Sequence, residues 1–424
     1  MRIGFYFNDL GFENLDLSDP CSGNNGVGGT QYCFLMVADA VLKLSNYDLE
    51  VIFYSYHENK LPKGVKNKKI SDWKNMIMSA QNDAVDILIY RADANIEMIR
   101  ALGNTTLKCI AWAHNFLYKK EIDELSRCKN VRRVVFVGKQ QYDTYIDHEI
   151  IKKSTYIFNM FDSCQFSERP LPEKKTVTYT GNLDRTKGFH LLAFVWKDIV
   201  KAVPDAQLYV IGGGKLYDRD LKLGELGVAR KEYEDLFAPF LIEDGKVLDS
   251  VHFLGVLGKE KNEIYYQTMV GVMNPSGRSE TFGLSGLEMA ACGIPVVTKG
   301  KYGLLDTVVD GETGYLIQNQ HELKNAIIKL LTDSSLNKKF GHNAKKFADT
   351  HFQPEATGRN WLNLFKDILE EKTAEYLKPS DFMLNDKKWL RVLNRKLHAM
   401  HIPTPAVVEV DDAFRNLKMN IRKR

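Results

Sequence analysis

The sequence predicts an α/β protein built from two doubly wound domains, each with a parallel sheet, followed by a helical C-terminal extension. A chain of 424 residues exceeds what one hydrophobic core usually organises, so two domains are expected. Short apolar strands alternate with amphipathic helices, which is typical of a parallel sheet covered on both faces. The alternation pauses over a polar stretch with two prolines, residues 157–175, and then resumes.

The predicted elements follow in order along each half of the chain. The first half contains the strand patterns IGFYF, EVIFYSY, VDILIY, KCIAWAH and VRRVVFVG, with helices expected at about 30–44 and from 139 onward. The second half contains TVTYTG, AQLYVIGGG, VHFLG, VGVMNPS, IPVVT and GYLI, with helices expected at about 188–201 and 286–291. The predicted domains are therefore residues 1–163 and 164–353, followed by a helix over 354–371 and a basic helical tail over 372–424.

Charge is distributed unevenly along the chain. The formal net charge is +4, but residues 372–424 contain 12 Lys and Arg against 6 Asp and Glu, so the body that precedes them is close to neutral. This distribution gives no support to a nucleic-acid groove across the body, and no nucleic-acid partner is expected.

The cysteine and hydropathy patterns bear on the compartment. Six cysteines are scattered without a CxxC pair, at Cys21, Cys33, Cys109, Cys128, Cys164 and Cys292. This pattern is typical of neither a zinc ribbon nor a disulfide framework, and it favours a reducing, cytoplasmic setting. No segment holds the roughly 18 consecutive apolar residues that a membrane-spanning helix needs. Contact with a membrane is therefore expected only from its cytoplasmic face.

The most informative segment, residues 274–317, is a strand that ends in a glycine-containing loop and turns into a helix with small residues at its start. Backbone amides at such a helix N-terminus lie unpaired and favour an anion such as a diphosphate. Gly283 permits close approach of a ligand to the backbone. The amides expected to be unpaired are those of Phe282, Gly283, Leu284 and Ser285.

Two carboxylates flank this turn. Glu280 lies in the loop and Glu288 one turn into the helix, where each can accept hydrogen bonds from sugar and ribose hydroxyls. Each also has a simpler interpretation. Ser285 and Glu288 form a capping-box pattern that would hold the start of the helix, and Glu280 alone could be a solvated loop acid.

The stretch SETFGLSGLEMAACGIPVV, followed by VVDGETGYLI, resembles the donor-binding signature of the retaining GT-B glycosyltransferases, in particular family 4, also called glycosyltransferase group 1. The resemblance implies two Rossmann-like domains facing each other across a cleft, with the acceptor on the first and a nucleotide diphosphate sugar on the second. It implies transfer of a hexose-type sugar to a saccharide or lipid-linked acceptor, in surface polysaccharide or glycolipid biosynthesis. It also implies that Glu280 and Glu288 bind the donor.

A second loop, in YTGNLDRTKG, carries Arg185 and Lys187 at the carboxyl end of a predicted parallel strand. Two cations there are well placed to neutralise a diphosphate leaving group. The family usually has an arginine directly after the glycine, here Gly181, and a lysine before the second glycine. Lys187 matches that lysine, whereas Asn182 occupies the arginine position and Arg185 would substitute for it. The alternative is a pair of solvated loop cations.

Two further strand ends resemble the nucleotide contacts of this family. The glycine turn IGGG at 211–214, with Gly212 at its centre, resembles the turn near the nucleotide, although a glycine turn alone carries little weight. The sequence FLG at 253–255 resembles the strand end that contacts the base, so the backbone around Val256 would meet it.

The N-terminal domain supplies two candidates. Gly28 and Gly29, in GVGGTQ, open a predicted helix and would form a backbone nest for a phosphate or an incoming acceptor. The competing interpretation is a dinucleotide-binding fingerprint, but about 18 residues separate these glycines from the first strand. His114, in WAHNF, resembles a family histidine that reaches the donor sugar, although a lone histidine is more often structural.

No metal or other cofactor is expected. The DxD-like triplet Asp218, Arg219 and Asp220 follows the glycine turn, a position that argues against the metal-binding motif of the other common transferase fold.

The resemblance further implies that the acceptor attacks on the face from which the diphosphate leaves, with the leaving phosphate taking the proton. Lys187, Arg185 and the helix N-terminus would then stabilise the leaving group, while Glu280 and His114 orient the sugar. A nucleotide-sugar epimerase of the same fold and a non-catalytic GT-B binding protein are the alternatives.

The helix over 354–371 resembles the family element that crosses back to the first domain. The tail beyond it contains KKWLRVLNRKLHAM, with Arg391, Arg395 and Lys396 placed away from its apolar helical face. That face would either lie on a membrane surface, which suits a lipid-linked acceptor, or pack on the N-terminal domain. It consists of Trp389, Leu390, Leu393, Leu397 and Met400.

Overall fold

The computed structural model describes residues 1–24, 27–163, 166–167, 169–214 and 222–422. The chain divides into two compact units. The first comprises Met1–Pro20, Gly29–Met160 and Pro354–Arg424, and the second Cys21–Gly28 and Phe161–Gln353. The chain passes from the first unit to the second after Met160, inside the predicted linker at residues 157–175. The predicted boundary needs one correction, because Cys21–Gly28 groups with the second unit.

The first unit contains a sheet of seven parallel strands in the order β3-β2-β1-β4-β5-β6-β7. Its strands are β1 Arg2–Phe7, β2 Glu50–Ser55, β3 Val65–Lys69, β4 Ile87–Arg91, β5 Lys108–Ala113, β6 Val131–Phe136 and β7 Ser154–Tyr156. Its helices are α1 Gly29–Leu44, α2 Trp73–Asn82, α3 Ile96–Leu102, α4 Lys119–Arg127 and α5 Lys139–Asp143, joined by three from the C-terminal part described below.

The second unit contains a sheet of six parallel strands in the order β12-β9-β8-β13-β14-β15, and a small antiparallel pair, β10-β11. The strands are β8 Thr176–Thr180, β9 Gln207–Ile211, β10 Ile242–Glu243, β11 Lys246–Val247, β12 Val251–Gly255, β13 Val270–Met273, β14 Val296–Lys299 and β15 Gly314–Ile317. The helices are α6 Phe189–Ala202, α7 Lys231–Leu241, α8 Lys261–Tyr266, α9 Leu284–Ala291, α10 Gln320–Thr332 and α11 Ser334–His351.

Every strand pattern named from the sequence forms a strand, because the buried runs of both parallel sheets are mostly apolar, with a few buried polar residues such as Thr178 and Thr298. The sequence prediction lacked β3, β7 and the short antiparallel pair β10-β11. Strand β3, with the sequence VKNKK, lies at the sheet edge and is largely exposed, so no apolar pattern marks it. Its lysines are typical of an edge strand protected against further pairing.

Helix α12, Pro354–Leu369, belongs to the first unit and packs on α1. A side chain at Gly358 would meet Ala40 and Leu44, so glycine lets the two helices approach closely. The buried ring of Trp361 contacts Trp112 edge-on, with 4.7 Å between centroids. These contacts fix the helix on the core of the first unit.

The tail also packs on the first unit, through α13 Lys388–Ala399 and α14 Val407–Arg422. The buried residues of α13 are polar: Lys388, Arg391 and Asn394. The tail therefore packs on the N-terminal domain, as one of the two predicted alternatives had it. Of the predicted apolar face, Leu390 and Leu397 are half-buried, whereas Trp389, Leu393 and Met400 are exposed, and the reason is developed below.

Among the described residues, the helices are all too short or too polar to cross a bilayer. The five cysteines in this part of the chain are free thiols; Cys164 lies outside it.

Candidate functional site

Three strands of the second sheet, β8, β9 and β12, end in loops that are tied together by backbone hydrogen bonds. The Gly181 amide donates to the Ile211 carbonyl at 3.0 Å, and the Gly212 amide to the Gly255 carbonyl at 2.8 Å. Gly212 has φ of +133°, and a Cβ there would lie 1.9 Å from the Gly181 carbonyl oxygen. Glycine at 212 is therefore required by the crossing of two loops, whatever ligand the turn meets.

The loop after β8 is organised by one carboxylate. Asp184 accepts hydrogen bonds from the amides of Thr186 at 2.7 Å and Lys187 at 3.0 Å, and from the Asn182 side-chain amide at 2.6 Å. Asn182 is buried, and within the described part of the chain its Oδ1 has no hydrogen-bond partner. The asparagine at the family's arginine position thus braces the loop that presents Lys187.

The loop after β13 is organised by Asn274, which has φ of +37°. Its Oδ1 accepts from the Gly277 amide at 3.0 Å, and its Nδ2 donates to Glu280 Oε2 at 2.9 Å. The Ser276 hydroxyl donates to the Thr186 carbonyl, which links this loop to the loop after β8. Asn274 therefore aims the Glu280 carboxylate while closing its own turn.

Lys187 Nζ lies 2.6 Å from Glu280 Oε2, which joins the two loops through an ion pair. The side chains are 23% and 13% exposed, so neither is a freely solvated loop residue. The solvated-loop alternatives are wrong for these two residues. Arg185, in contrast, is exposed.

A further cation that the sequence analysis missed is Arg278. Burial lowers the pKa of His190, and the positive charges of Arg185 and Arg278 lower it further. Both guanidinium groups therefore lie close enough to His190 to disfavour its protonated form. His190 is the second residue of α6. The local signal for Arg278 was its place two residues before Glu280, but only the fold shows its neighbours.

Helix α9 begins with Gly283 as its N-cap, and no side chain caps it. The Gly283 and Ser285 amides have no partner in the part of the chain that is described. The Leu284 amide donates to the Phe282 carbonyl at 3.1 Å, so the expectation of four unpaired amides is wrong at that position. Packing also favours glycine at 283, since a Cβ there would lie 2.5 Å from the Met273 methyl group.

The aromatic ring of Phe282 is buried rather than presented to a ligand. It contacts Phe352 edge-on, with 5.6 Å between centroids. Any donor contact from this residue would therefore come from its backbone.

Glu288 does not form the capping box. Its carboxylate accepts from Lys261 Nζ at 2.6 Å and from the Tyr265 hydroxyl at 3.3 Å, both on α8. Neither partner was predicted, because nothing in the sequence places α8 beside α9. Val256 follows β12 and is more than half exposed, and a Cβ on Gly213 would lie 3.7 Å from it.

The remaining predicted residues lie elsewhere. His114 follows β5 in the first unit, buried with its ring 4.4 Å from that of Trp112. Burial lowers its pKa to about 3, with a smaller effect of the Arg91 charge, so the ring is neutral at physiological pH. Gly29 begins α1, where an added Cβ would meet nothing within 4 Å, whereas Gly28 groups with the second unit.

The DxD-like residues Asp218, Arg219 and Asp220 lie outside the described residues. Within them, one group of side chains has metal-ligand geometry: Asp123, His148 and Glu409, in the first unit. The Lys119 ammonium group lies 2.9 Å from Asp123 and 2.5 Å from Glu409. A lysine therefore already neutralises the acids of this group.

Comparisons with known proteins agree on the class. Residues 162–347 match the sequence profile of the family described as "Glycosyl transferases group 1". The chain is 26% identical over 225 residues to the capsular polysaccharide biosynthesis glycosyltransferase CapM of Staphylococcus aureus, which covers 51% of this chain and 54% of that protein. The chain spans about half the length, or less, of the first curated relatives that it matches.

Solved structures agree on the fold. The sucrose-phosphate synthase of Thermosynechococcus elongatus superposes with a TM-score of 0.67 at 17% identity, over 88% of this chain and all of that one. Anabaena HepE, solved in complex with UDP-glucose, superposes with a TM-score of 0.64 at 16% identity, over 87% of this chain and all of that one. Two Rossmann-like domains of the GT-B type with a helical C-terminal extension are the architecture of this chain.

Proposed function

We propose that this chain, whose residues 162–347 form a group 1 glycosyl transferase domain, transfers a hexose-type sugar with retention from a nucleotide diphosphate sugar to a saccharide or lipid-linked acceptor. The names of its relatives support a place in surface polysaccharide or glycolipid biosynthesis, since one is a capsular polysaccharide glycosyltransferase and another a poly(glycerol-phosphate) alpha-glucosyltransferase.

The observation that carries the proposal is the Lys187–Glu280 ion pair in the loops after β8 and β13. Lys187 would stabilise the charge that develops on the diphosphate as the bond to the sugar breaks, because a preorganised cation needs no reorganisation at that moment. Arg185 and Arg278 would add positive charge. The unpaired amides of Gly283 and Ser285 would bind phosphate oxygens.

The carboxylates would orient the donor. Glu280 would accept hydrogen bonds from sugar hydroxyls and Glu288 from the ribose, each held by a lysine partner of its own. The neutral ring of His114 would exchange a hydrogen bond with the sugar. The edge near Gly181, Gly212 and Val256 would meet the nucleotide, and the open position at Gly29 leaves room for a phosphate or an acceptor.

The chemistry proposed needs no metal. The leaving phosphate would take the proton from the acceptor hydroxyl as that oxygen forms the new glycosidic bond on the same face. The cations named above would supply the charge compensation that a divalent ion supplies in other transferases. A chelator is therefore expected to leave the rate unchanged.

The test begins with thermal unfolding in the presence of UDP-, GDP- and ADP-sugars, because a ligand that binds only the folded state raises the melting temperature. The donor found is then incubated with candidate saccharide and lipid-linked acceptors, with and without EDTA. We expect nucleoside diphosphate to be released only with an acceptor, and a product that keeps the anomeric configuration of the donor. No stabilisation by any donor at saturation would contradict the proposal.

The same assay separates the alternatives. An epimerase of this fold would convert the donor without an acceptor. A non-catalytic binding protein would be stabilised by a nucleotide sugar and would turn over neither substrate.

A further inference from the structure

Helix α13 is attached to the first unit through its polar side chains. Lys388 Nζ lies 2.8 Å from Asp143 Oδ2, and these side chains are only 3% and 1% exposed. Arg391 Nε donates to the Thr144 carbonyl at 2.7 Å, and Asn394 Nδ2 to Asp147 Oδ2 at 2.9 Å. A buried ion pair flanked by directional hydrogen bonds permits one rotation of the helix about its axis.

This rotation turns Trp389, Leu393 and Met400 of the apolar face outward, while Leu390 and Leu397 of that face are half-buried. Trp389 is 50% exposed, Leu393 46% and Met400 68%. Spacings of four and seven residues place the three on one side of the helix. Leu384, just before the helix, is 86% exposed and Ile402, just after it, 43%. A water-soluble helix normally hides such a face and exposes the polar one, so this orientation needs a partner for the apolar side.

Charge indicates what that partner is. The segment from 387 to 400 contains Lys387, Lys388, Arg391, Arg395 and Lys396 and no Asp or Glu. The first three of these cations form ion pairs with acids outside the segment. Of the other two, Lys396 is exposed between Leu393 and Met400 and forms no ion pair with any described residue.

A lysine within an apolar stripe suits a lipid surface. Its methylenes can follow the acyl boundary while the ammonium group reaches an anionic headgroup. A second copy of this helix packed face to face would instead bring two unpaired Lys396 side chains together and bury them.

We propose that the outward side of α13, formed by Trp389, Leu393, Lys396 and Met400, docks on a bilayer that carries anionic lipid headgroups. The docking uses residues outside the glycosyl transferase domain, so it stands or falls independently of the proposed reaction. Trp389 lies at the interface, where its ring meets the acyl boundary and its indole N–H the headgroups. Under the proposed function, the contact would also hold the first unit at the surface that carries a lipid-linked acceptor.

The experiment is flotation of the full-length chain with phosphatidylcholine vesicles, with and without phosphatidylglycerol. The test variant is W389S/L393S/M400S, whose positions are exposed and therefore tolerate polar residues in the folded protein. The control variant is M78S/F194S, which removes two apolar side chains of similar exposure, 56% and 52%, from α2 and α6. Circular dichroism and melting temperature establish that both variants fold.

We expect wild type and M78S/F194S to float with the anionic vesicles, and the triple variant to lose at least about tenfold in partition coefficient. Added salt weakens the binding, since the headgroup attraction is screened. Equal flotation of the triple variant and wild type overturns the proposal. A second outcome also overturns the proposal: wild type forms a concentration-dependent dimer but binds no vesicles, and the triple variant loses the dimer. That result would assign the face to a second copy of the chain.

Tryptophan fluorescence locates the contact. Trp112, Trp196 and Trp361 are fully buried and Trp73 is partly buried, whereas Trp389 is half exposed. Brominated lipid is expected to quench wild-type emission and to quench W389F far less, while W389F still floats. Unchanged quenching in W389F would place the membrane contact elsewhere and contradict the proposal.

Discussion

Two lysine–carboxylate pairs of nearly equal length serve different purposes in this chain. Lys187 and Glu280 lie 2.6 Å apart in loops at the carboxyl edge of the second sheet, and each keeps part of its surface exposed. Lys388 and Asp143 lie 2.8 Å apart with almost none of their surface exposed, and they attach α13 to the first unit. Distance alone does not separate the pair that we propose to bind the donor from the pair that attaches a helix. Access to solvent and unpaired neighbouring donors do.

The comparison predicts that breaking the buried pair lowers stability and that breaking the exposed pair lowers activity. The largest effect is expected at Asp143. Its carboxylate lies 2.8 Å from Lys388 and 3.0 Å from Lys139, so D143A would leave two ammonium groups without their acid. Breaking a buried pair in this way destabilises by about 3–5 kcal/mol. Calorimetry and protease cleavage of the tail measure it, and transfer per folded molecule should be unchanged. E149A, which removes an exposed acid, is the matched control and should unfold like wild type.

The opposite result is expected for the exposed pair. E280A and K187A should each lower the rate of acceptor-dependent nucleoside diphosphate release by about 10²–10³-fold, the usual loss when one preorganised transition-state contact is removed. The melting temperature should barely change, because a partly exposed pair contributes little to stability. E355A, which breaks an exposed pair with Arg359, serves as the control. Wild-type rates in both variants would remove the pair from the active site.

A smaller effect tests how the loop aims Glu280. N274D keeps the size of the side chain, the acceptor for the Gly277 amide and a residue type that tolerates φ of +37°, but replaces the donor to Glu280 with a negative charge. We expect kcat to fall by about 10–10²-fold with little change in donor KM, because losing one hydrogen bond to a charged group destabilises by about 1.5–3 kcal/mol. A change in KM alone would assign Asn274 a role in the shape of the pocket.

The sequence could predict features that depend on residues near one another in the chain, but not those that depend on distant partners. The strands and the loop that carries Glu280 were recognisable, because apolar runs, glycines and local motifs report on residues near one another in the chain. Lys261 and Arg278 were missed, since their roles depend on neighbours that only the fold brings close. For α13 the periodicity indicated which residues share a face, but it cannot tell which face is buried. Lys388 and Asp143, 245 residues apart, decide that.

The smallest effect concerns His114, a titratable group that burial keeps neutral in the folded chain. Burial lowers its folded pKa to about 3 from 6.5, so between these values the unfolded chain binds a proton that the folded chain does not. Wild type should therefore lose stability as the pH falls from 6.5 towards 3, by up to about 1.4 kcal/mol per pH unit from this group. H114N lacks the slope. Urea unfolding of both proteins at pH 7 and at pH 5 measures the difference, and parallel pH profiles would mean that the ring takes up its proton in the folded protein.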